Sequence, residues 1–477
     1  MTYETVIGLE IHVQLSTQSK AFCSDSIQFG SAPNTQVSAI SLGHPGTLPR
    51  LNKQQLDYAI RLALALGSKI NLRNTFDRKN YFYADLPKGY QITQDAQPVC
   101  VGGEIEVIVE GKPKKIRIHH IHMEEDAGKS MHDSDDPYSY IDLNRAGTPL
   151  LEIVTEPDLR SAAEVDALMT TMRQLVRYLN ISDGNMQEGS MRCDCNVSIR
   201  PLGADYYGNR CEVKNLNSMR YARKAIQYEV QRQIKIVEAG GTVAQQTLNF
   251  DPSTGVTTPL RSKEDAHDYR YFPEPDLPPV VLTEAQVAAI KKEMPDLPKE
   301  VRQQLVTEYQ LSEYNADLLT VEPEPARFFL ALAKATTSYD AAANLMINKI
   351  LPWSKEEGKP LTALPLSYAQ LAEFIALIEE GKVSNSIAYQ ELFSAMLNAP
   401  EQSAANLAQV NNWLQSDDED EMSNWVETAI TDFPDKVKAY QSGKKGLIGF
   451  FMGEVMKVSK GKADPKKVNQ LLRERLG

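Results

Sequence analysis

The spacing of hydrophobic residues changes once along this chain, and that change constrains the fold more than any other sequence feature. Over the first 290 or so residues, apolar and polar residues alternate in short segments, which is typical of half-buried β-strands. After the proline-dense stretch 272–281, apolar residues recur at helical spacing, and the segments end at Pro, Gly or Ser. The clearest strand predictions are VIGLEIHVQL (6–15), EIEVIVEG (104–111), KKIRIHHIHME (114–124), CDCNVSIR (193–200) and CEVKN (211–215).

Three helices are predicted among these strands, at 53–66, 162–180 and 218–239. Ser161 and Glu164 have the spacing of a capping box at the start of the second helix. Long helices grouped with strands, without a regular βαβ repeat, favour the α+β class.

A chain of 477 residues is too long for one compact core. The change in pattern predicts three domains: a mixed α+β domain over 1–293, a helical domain over 294–405 and a small basic helical tail over 406–477.

The charge of the chain is unevenly distributed. The total is −12, but residues 436–477 contain eleven basic and three acidic residues, which gives this tail +8 and the rest −20. A basic tail on an acidic body is either a solvated helical surface or a binding site for an acidic partner, and the sequence leaves both open.

Composition points to a reducing compartment. The five cysteines are an odd number and lack the spacing of a disulfide framework. No apolar run reaches the roughly 18 residues that a membrane span needs, and the N-terminal segment lacks the features of a signal peptide. We therefore expect a cytoplasmic protein with no membrane association.

Several predicted strands place charged residues on the face opposite their apolar residues. In segment 6–15, Glu10 and His12 lie on one face, while Leu9, Ile11 and Val13 lie on the other. Carboxylates with an occasional imidazole suit Mg²⁺, and interspersed Lys and Arg suit the phosphates of a nucleotide. The alternative is an ordinary solvated sheet face. No P-loop is present, because Gly128-Lys129-Ser130 lacks the upstream glycine.

Three other residue groups are weaker candidates for sites. Cys193 and Cys195 share a strand face with apolar residues, so we expect buried structural thiols rather than metal ligands, and the same holds for Cys211. Strand alternation splits His119, His120 and His122 between two faces, which disfavours a three-histidine metal site. Aromatic residues at 81–83 and 90 are expected in the core rather than stacked on a base.

Long strings distributed over the whole chain resemble the B-subunit family of the tRNA-dependent amidotransferases. They occur in the expected order from residue 8 to residue 476. The strings are GLEIHVQL (8–15), FDRKNYFYADLPKGYQITQ (76–94), HMEEDAGKS (122–130), DLNRAGTPLLEIVTEPD (142–158), EGSMRCDCNVSIRP (188–201), EVKNLNS (212–218), DYRYFPEPDLPP (268–279) and GFFMGEVMKVSKGKADPKKVNQLLRERL (449–476).

The resemblance implies a glutamine-synthetase-like catalytic domain with an antiparallel sheet, followed by an all-helical domain and a tail domain that meets tRNA. It implies a ligase that uses ATP and Mg²⁺ to phosphorylate the side-chain carboxylate of Glu-tRNA(Gln) or Asp-tRNA(Asn) and then forms the amide. It further implies a heterotrimer, in which an amidase, the A chain, supplies ammonia from glutamine and a small C chain supports the pair.

Positions in the matching motifs assign the candidate site residues. Lysines spaced to face outward on the tail helices are the candidate tRNA contacts. The metal candidates are Glu10, His12, Glu124, Glu125, Glu188 and Glu212; the phosphate or acyl-phosphate candidates are Lys79, Arg192, Lys214 and Lys263; the tRNA candidates are Lys444, Lys445, Lys457, Lys460, Lys462, Lys466 and Lys467.

The chain departs from the family pattern near its N-terminus. Many members carry two cysteine pairs there that resemble a zinc site. Here the first pair reads Cys23-Ser24-Asp25, and Ser38-Ala39-Ile40-Ser41 replaces the second. One thiolate cannot complete a four-ligand zinc site, so we expect no structural zinc and a loop over 23–43 held by ordinary packing.

Two rival functions remain. The first is a tRNA-binding scaffold whose ATP chemistry belongs to a partner, and clustered carboxylates where RNA must approach disfavour it. The second is a free-standing ligase that acts on a small carboxylate, and the basic tail disfavours it. Whether Glu-tRNA, Asp-tRNA or both are used depends on which synthetases the organism has.

Overall fold

The computed structural model describes residues 2–132, 137–260, 270–416, 418–459 and 461–477. The chain divides into two compact units, Met1–Pro298 and Lys299–Gly477. Within the described residues, no helix combines the length and the apolar character that crossing a bilayer requires.

The first unit contains the strands, which are numbered in chain order. Their bounds are β1 Tyr3–Gln14, β2 Lys69–Ile70, β3 Arg73–Asn74, β4 Asp77–Asn80, β5 Tyr90–Thr93, β6 Cys100–Val101, β7 Glu104–Val109, β8 Lys112–Glu125, β9 Lys129–His132, β10 Ser139–Asp142, β11 Pro149–Thr155, β12 Met191–Pro201, β13 Cys211–Leu216, β14 Gln246–Asp251, β15 Val256–Pro259, β16 Arg270–Pro273 and β17 Val280–Val281.

One large sheet dominates this unit, with the strand order β15-β14-β13-β12-β1-β11-β8-β6-β2 and with β7 paired to β8. Its pairs are antiparallel except for β13 and β14, which run parallel. Smaller sheets join β16-β4-β5, β9-β10 and β17-β3. The strands predicted from alternation are all present, and the α+β class is confirmed.

Helices cover one face of the large sheet. They are α1 Lys53–Ala65, α2 Ala162–Tyr178 and α3 Met219–Glu238, close to the predicted bounds, and α4 Glu284–Lys292 follows. The Ser161 hydroxyl caps α2 by accepting from the Glu164 amide, as predicted. The Glu164 carboxylate, however, accepts from the Arg160 amide at 2.5 Å, so the reciprocal bond lies one residue before the capping-box position.

Alternation along β1 decides which face the helices cover. Leu9, Ile11 and Val13 are at most 1 % exposed in the core beneath the helices. Burial of each such side chain stabilises the fold by roughly 1.5–3 kcal/mol. Since successive side chains point to opposite faces, this anchoring also turns Glu10 and His12 to the other side of the sheet.

The aromatic residues after β4 do not all follow the sequence prediction. Phe82 is 88 % exposed and Tyr83 is 46 % exposed, so their expected place in the core was wrong. Both lie in the connection between β4 and β5, where the chain forms turns rather than a strand that packs on the large sheet.

The second unit is helical in its described residues, as predicted. Its helices are α5 Pro298–Thr307, α6 Glu313–Thr320, α7 Pro323–Leu332, α8 Tyr339–Leu345, α9 Leu351–Glu357, α10 Tyr368–Glu379, α11 Asn385–Ile387, α12 Phe393–Asn398, α13 Ala404–Val410, α14 Glu419–Asp432, α15 Pro434–Gln441, α16 Ile448–Val458 and α17 Pro465–Leu476, with π-helical turns at Met346–Ile350 and Ala388–Leu392 and 3₁₀ turns at Leu361–Ala363 and Lys445–Leu447.

This unit has two hydrophobic cores. One is built from residues between Leu305 and Ala408, and the other from residues between Val426 and Leu476. The predicted boundaries near 293 and 405 lie close to the ends of these cores but stay predictions.

The tail helices begin and end at the predicted residues. Asp464 caps α17 with Pro465 at its first position, and Phe451, Val455 and Val468 are fully buried. Gly461 separates α16 from α17 at φ +81°, and an added Cβ would approach Ile387 to 3.0 Å. Both the backbone conformation and the close packing therefore require glycine there.

Candidate active site

Strand register aligns charged side chains in rows on the exposed face of the large sheet. Strand β1 lies between β11 and β12, so its polar residues have charged neighbours on both sides. The paired positions are His12 with Glu152 and Arg192, Glu152 with His122, Glu10 with Asp194, and Asn196 with Glu212.

The first group on this face joins two acidic and two imidazole side chains. One ligand atom from each of His12, Glu124 and Glu152 lies within 4.8 Å of the others. His12 Nε2 is 3.3 Å from Glu152 and 3.8 Å from Glu124. His122 Nε2 approaches the same two carboxylates at 3.2 and 3.6 Å.

The two carboxylates hold both imidazoles in the protonated form. Burial lowers the pKa of His12, but the hydrogen bond and charge of Glu152, together with Glu124, outweigh it and raise the pKa. His122 is likewise buried, and the same carboxylates raise its pKa to about 10. A cation that takes His12 as a ligand must therefore release a proton from it.

The second group contains three carboxylates and a lysine. Oxygens of Glu10, Asp194 and Glu212 lie within 4.8 Å of one another. The Lys214 ammonium is 2.8 Å from Asp194 and 2.7 Å from Glu212, and these charges outweigh burial and raise the pKa of Lys214. Asn196 donates to Glu10 at 2.9 Å.

Glu10 connects the two groups. Burial raises its pKa, and the negative charges of Glu152 and Glu212 add to the effect. Like-charged carboxylates at this spacing repel one another unless a cation neutralises them. Glu10 is thus the position where an added divalent cation gains most from this face.

The predicted cations lie at different distances from these groups. Lys214 is inside the second group, and Arg192 donates to Asp126 at 2.8 Å. Lys79 on β4 pairs with Tyr271 on β16. Burial raises the pKa of Tyr271, Lys79 opposes this, and Glu152 and Glu124 reinforce it, so Lys79 faces the first group. Lys263 lies outside the described residues.

A cavity of about 350 Å³ opens beside the second group. Glu10 and Asn196 form one wall, and Tyr207, Asn209 and Arg210 belong to the lining that follows β12. Its volume lies at the lower end of the range typical of small-ligand pockets.

Two of the predicted metal ligands lie apart from both groups. Glu125 accepts from the Ile92 amide at 3.0 Å, pairs with Lys88 and lines a separate cavity of about 210 Å³ that also contains Lys20. Glu188 is exposed in the connection before β12, where its amide donates to Asn185. The proposed roles of Glu125 and Glu188 stay predictions.

Sequence reasoning misses Glu152, although this residue belongs to the first group. It is the one charged residue in β11, PLLEIVT, so a lone carboxylate in an apolar strand is the available signal. Asp194 is evident in the sequence as a carboxylate on a strand face, but nothing local marks it as a ligand. Register between strands distant in sequence brings both to β1, and alternation within one strand does not reveal it.

The thiols are placed as predicted, and the histidines of β8 are not. Cys193, Cys195 and Cys211 are buried free thiols. The histidines are closer together than alternation predicted, because a bulge shifts the register opposite Val154 and Thr155. His119 and His120 approach to 2.6 Å, and His120 and His122 to 3.1 Å, but among the described residues these three form no group that could hold one ion.

Hydrogen bonds close the N-terminal loop. One carboxylate oxygen of Asp25 accepts from the Ser38 amide at 2.9 Å and from the Ser41 hydroxyl. These serines occupy the replaced second cysteine pair, so a protein carboxylate connects the two halves of the loop. The expected absence of structural zinc stays a prediction.

The tail lysines occupy varied positions on their helices. Lys444, Lys457, Lys466 and Lys467 are exposed, and Lys457 is 3.9 Å from Glu454. Lys445 donates to the Gly477 carbonyl at 2.6 Å and covers the Tyr440 ring, while Lys462 is half-buried. Lys460 lies outside the described residues.

Comparison with known proteins agrees with this arrangement. The description "GatB/GatE catalytic domain" matches residues 5–288, and "GatB domain" matches residues 327–476. Relatives named as the B chain of aspartyl/glutamyl-tRNA(Asn/Gln) amidotransferase are 45% identical in Persephonella marina and 46% identical in Neisseria meningitidis serogroup B, each covering 100% of both chains. A third, from Thermodesulfovibrio yellowstonii, is 45% identical over 99% of both chains. With one family matching most of its length, this chain belongs to the GatB/GatE family.

Proposed function

We propose that this chain is the activating and transamidating component of a tRNA-dependent amidotransferase. Its substrates are Glu-tRNA(Gln), Asp-tRNA(Asn) or both. The observation that carries the proposal is the pair of carboxylate groups around Glu10 and His12 on one sheet face, in a chain of this family.

The reaction has two steps. A side-chain carboxylate oxygen of the misacylated residue attacks the γ-phosphorus of ATP, which forms an acyl phosphate and releases ADP. Ammonia then attacks the acyl carbon, inorganic phosphate leaves with the C–O bond electrons, and the nitrogen loses a proton to yield the amide. The enzyme is thus a ligase that forms a C–N bond with glutamine as the amido donor.

The donor set fits Mg²⁺, which takes hard oxygen ligands and leaves positions for phosphate. In this proposal Glu10, Asp194 and Glu212 hold one ion, and His12, Glu124 and Glu152 hold a second or the shared edge of the same site. When bound, the ion would neutralise phosphoryl oxygens.

The chain's own cations complete phosphate binding. In the described structure, Asp194 and Glu212 hold Lys214 in place. We propose that Lys214, Arg192 and Lys79 contact the phosphates and the acyl phosphate, where fixed positive charge stabilises the transition state. The cavity lined by Tyr207 and Asn209 would take the nucleoside, because it opens beside Glu10.

The remaining parts of the proposal concern partners. Ammonia would come from an amidase, the A chain, and a small C chain would complete a heterotrimer, since the relatives are named as one lettered chain of a multisubunit enzyme. The basic tail would contact tRNA phosphates. We place the enzyme in the cytoplasm, where charged tRNA is used.

Transamidation with ammonium chloride tests this proposal. The complex, with the nucleophile of its amidase disabled, should convert Glu-tRNA(Gln) or Asp-tRNA(Asn) to the amide when ATP, Mg²⁺ and ammonium are present. A Glu10→Gln variant of this chain should lose both acyl-phosphate formation and product. If Glu10→Gln leaves both unchanged, the activating site lies elsewhere, as the scaffold hypothesis requires.

A further inference from the structure

The helical unit contains a cavity that the proposed function does not use. Its volume is about 420 Å³, and it lies between the N-terminal end of α8 and the C-terminal end of α10. Its walls include three tyrosines and two carboxylates: Tyr309, Tyr339, Tyr389, Asp340 and Glu379. None of these residues belongs to the catalytic face or to the basic tail.

Neighbouring rings fix the aromatic walls in place. Tyr309 and Tyr339 pack edge to face with ring centroids 5.0 Å apart, and Tyr309 also packs against Phe329 at 5.6 Å. Tyr389 packs against Phe374 at 5.9 Å. Because these rings are held from behind, the surfaces they present to the cavity are ordered before any ligand arrives, which reduces the entropy lost on binding.

The charge of the cavity is negative. Asp340 and Glu379 are exposed at its surface, and neither forms an ion pair or side-chain hydrogen bond among the described residues. The lining contributes no lysine or arginine in the described part of the chain. Glu379 adds to the effect of burial in raising the pKa of Tyr389, so this carboxylate lies close to one aromatic wall.

The helix ends reinforce this polarity. Glu379 is the last residue of α10, whose final turn holds no basic residue, so its terminal carbonyls add partial negative charge to that of the side chain. The amide end of α8 also reaches the cavity, but Asp340 lies in its first turn and already supplies the anion that this end favours. Tyrosine faces attract cations through their quadrupole.

We propose that this cavity binds a small aliphatic dication, an alkyl diamine or an amino-guanidine. Two carboxylates match two cationic groups, and the tyrosine faces contact the methylene chain between them. Nucleic acid does not suit the site, because its phosphates would meet two like charges.

Calorimetric titration of the full chain with putrescine and agmatine tests the proposal. Saturable binding is expected, and n-butylamine, with one charge, should bind several-fold more weakly. Asp340→Asn and Glu379→Gln each remove one charge from an exposed position without changing side-chain size. Each should weaken diamine binding roughly three- to tenfold, since a half-enclosed charged contact exceeds an exposed one.

Glu356→Gln provides the matched control. Glu356 is exposed on α9 and does not line the cavity, yet its loss changes the net charge by the same amount. It should leave the affinity unchanged. Equal weakening by Glu356→Gln would show non-specific counterion attraction and overturn the proposal, as would the lack of saturation by putrescine or equal affinity for butylamine and putrescine.

Discussion

His12 Nε2 lies 3.3 Å from a carboxylate oxygen of Glu152, a residue 140 positions away in the chain and directly opposite it in the sheet. Burial alone would favour the neutral imidazole, but this carboxylate and Glu124 keep it protonated. Glu152 therefore controls both the charge and the orientation of His12, whether or not it binds an ion itself.

Replacing Glu152 by Gln should reduce acyl-phosphate formation by about 10²–10³-fold, because a carboxylate that positions the metal-binding face is lost. Affinity for tRNA should stay near that of the unmodified enzyme. Rapid-quench measurement of acyl phosphate, with tRNA binding measured in parallel, checks this. Glu104→Gln on β7 is the control, since Glu104 pairs with Lys115 outside both groups. Normal phosphorylation by Glu152→Gln would remove the first group from the active site.

Replacing Lys214 by Met should make the fold more dependent on a divalent cation. The substitution leaves Asp194 and Glu212 beside Glu10 without their bound ammonium, which should cost roughly 1–3 kcal/mol of unfolding free energy. Added Mg²⁺ should then raise the melting temperature more than in the unmodified chain. Lys115→Met, which removes an exposed lysine paired with Glu104, should not change the response. Identical Mg²⁺ responses in all three proteins would contradict the assignment.

Replacing Tyr207 by Ala should raise KM for ATP about tenfold, because the cavity beside Glu10 would lose an aromatic wall for the base. The turnover number should change much less, since Tyr207 is not among the charged groups on the sheet face. Tyr206→Ala is a close control: Tyr206 is also exposed but does not line this cavity. A KM for ATP that moves equally in both variants would argue against nucleoside binding here.

Replacing His120 by Gln should flatten the dependence of stability on acidic pH. Burial, together with the charges of His122 and His119, lowers the pKa of His120 from 6.5 to about 4. Between these values the unfolded chain binds a proton that the folded chain does not, so unfolding free energy falls as pH falls from 6.5 to 4. The loss through this group should be on the order of 1–3 kcal/mol.

Urea unfolding of the His120→Gln variant at about pH 4.5, 5.5 and 7 measures this slope. The exposed His44, replaced by Gln, serves as the control and should retain the dependence of the unmodified chain. A variant with the same acid sensitivity as the unmodified chain would show that other groups account for it.

Replacing Lys444, Lys457 and Lys466 by Glu should weaken binding of charged tRNA and reduce its salt dependence. These three lysines are exposed on the tail, and each lost phosphate contact removes part of the counterion-release slope. ATP hydrolysis in the strand-rich unit should persist. Lys355→Glu, on the exposed surface of α9, controls for net charge. Filter binding at several salt concentrations would contradict the tail's role if the slope did not change.

The sequence alone determined the strands of the large sheet, the three helices among them and the helical character of everything after the proline-dense stretch. Period and capping are local, because residues one to four positions apart set them. For the same reason β1 predicted correctly that Glu10 and His12 lie opposite the core. The family resemblance supplied the candidate residues and their roles.

Only the tertiary structure decided which candidates meet. Glu152 and Asp194 join the groups through antiparallel register with β1, while Glu125 turns to another cavity because it follows Glu124 on an alternating strand. A bulge on β8 brought His119 and His120 into contact, and Phe82 stayed outside the core that its neighbours suggested. Pairing between distant strands, bulges and the exposure of loops depend on residues far apart in sequence, so no local pattern encodes them.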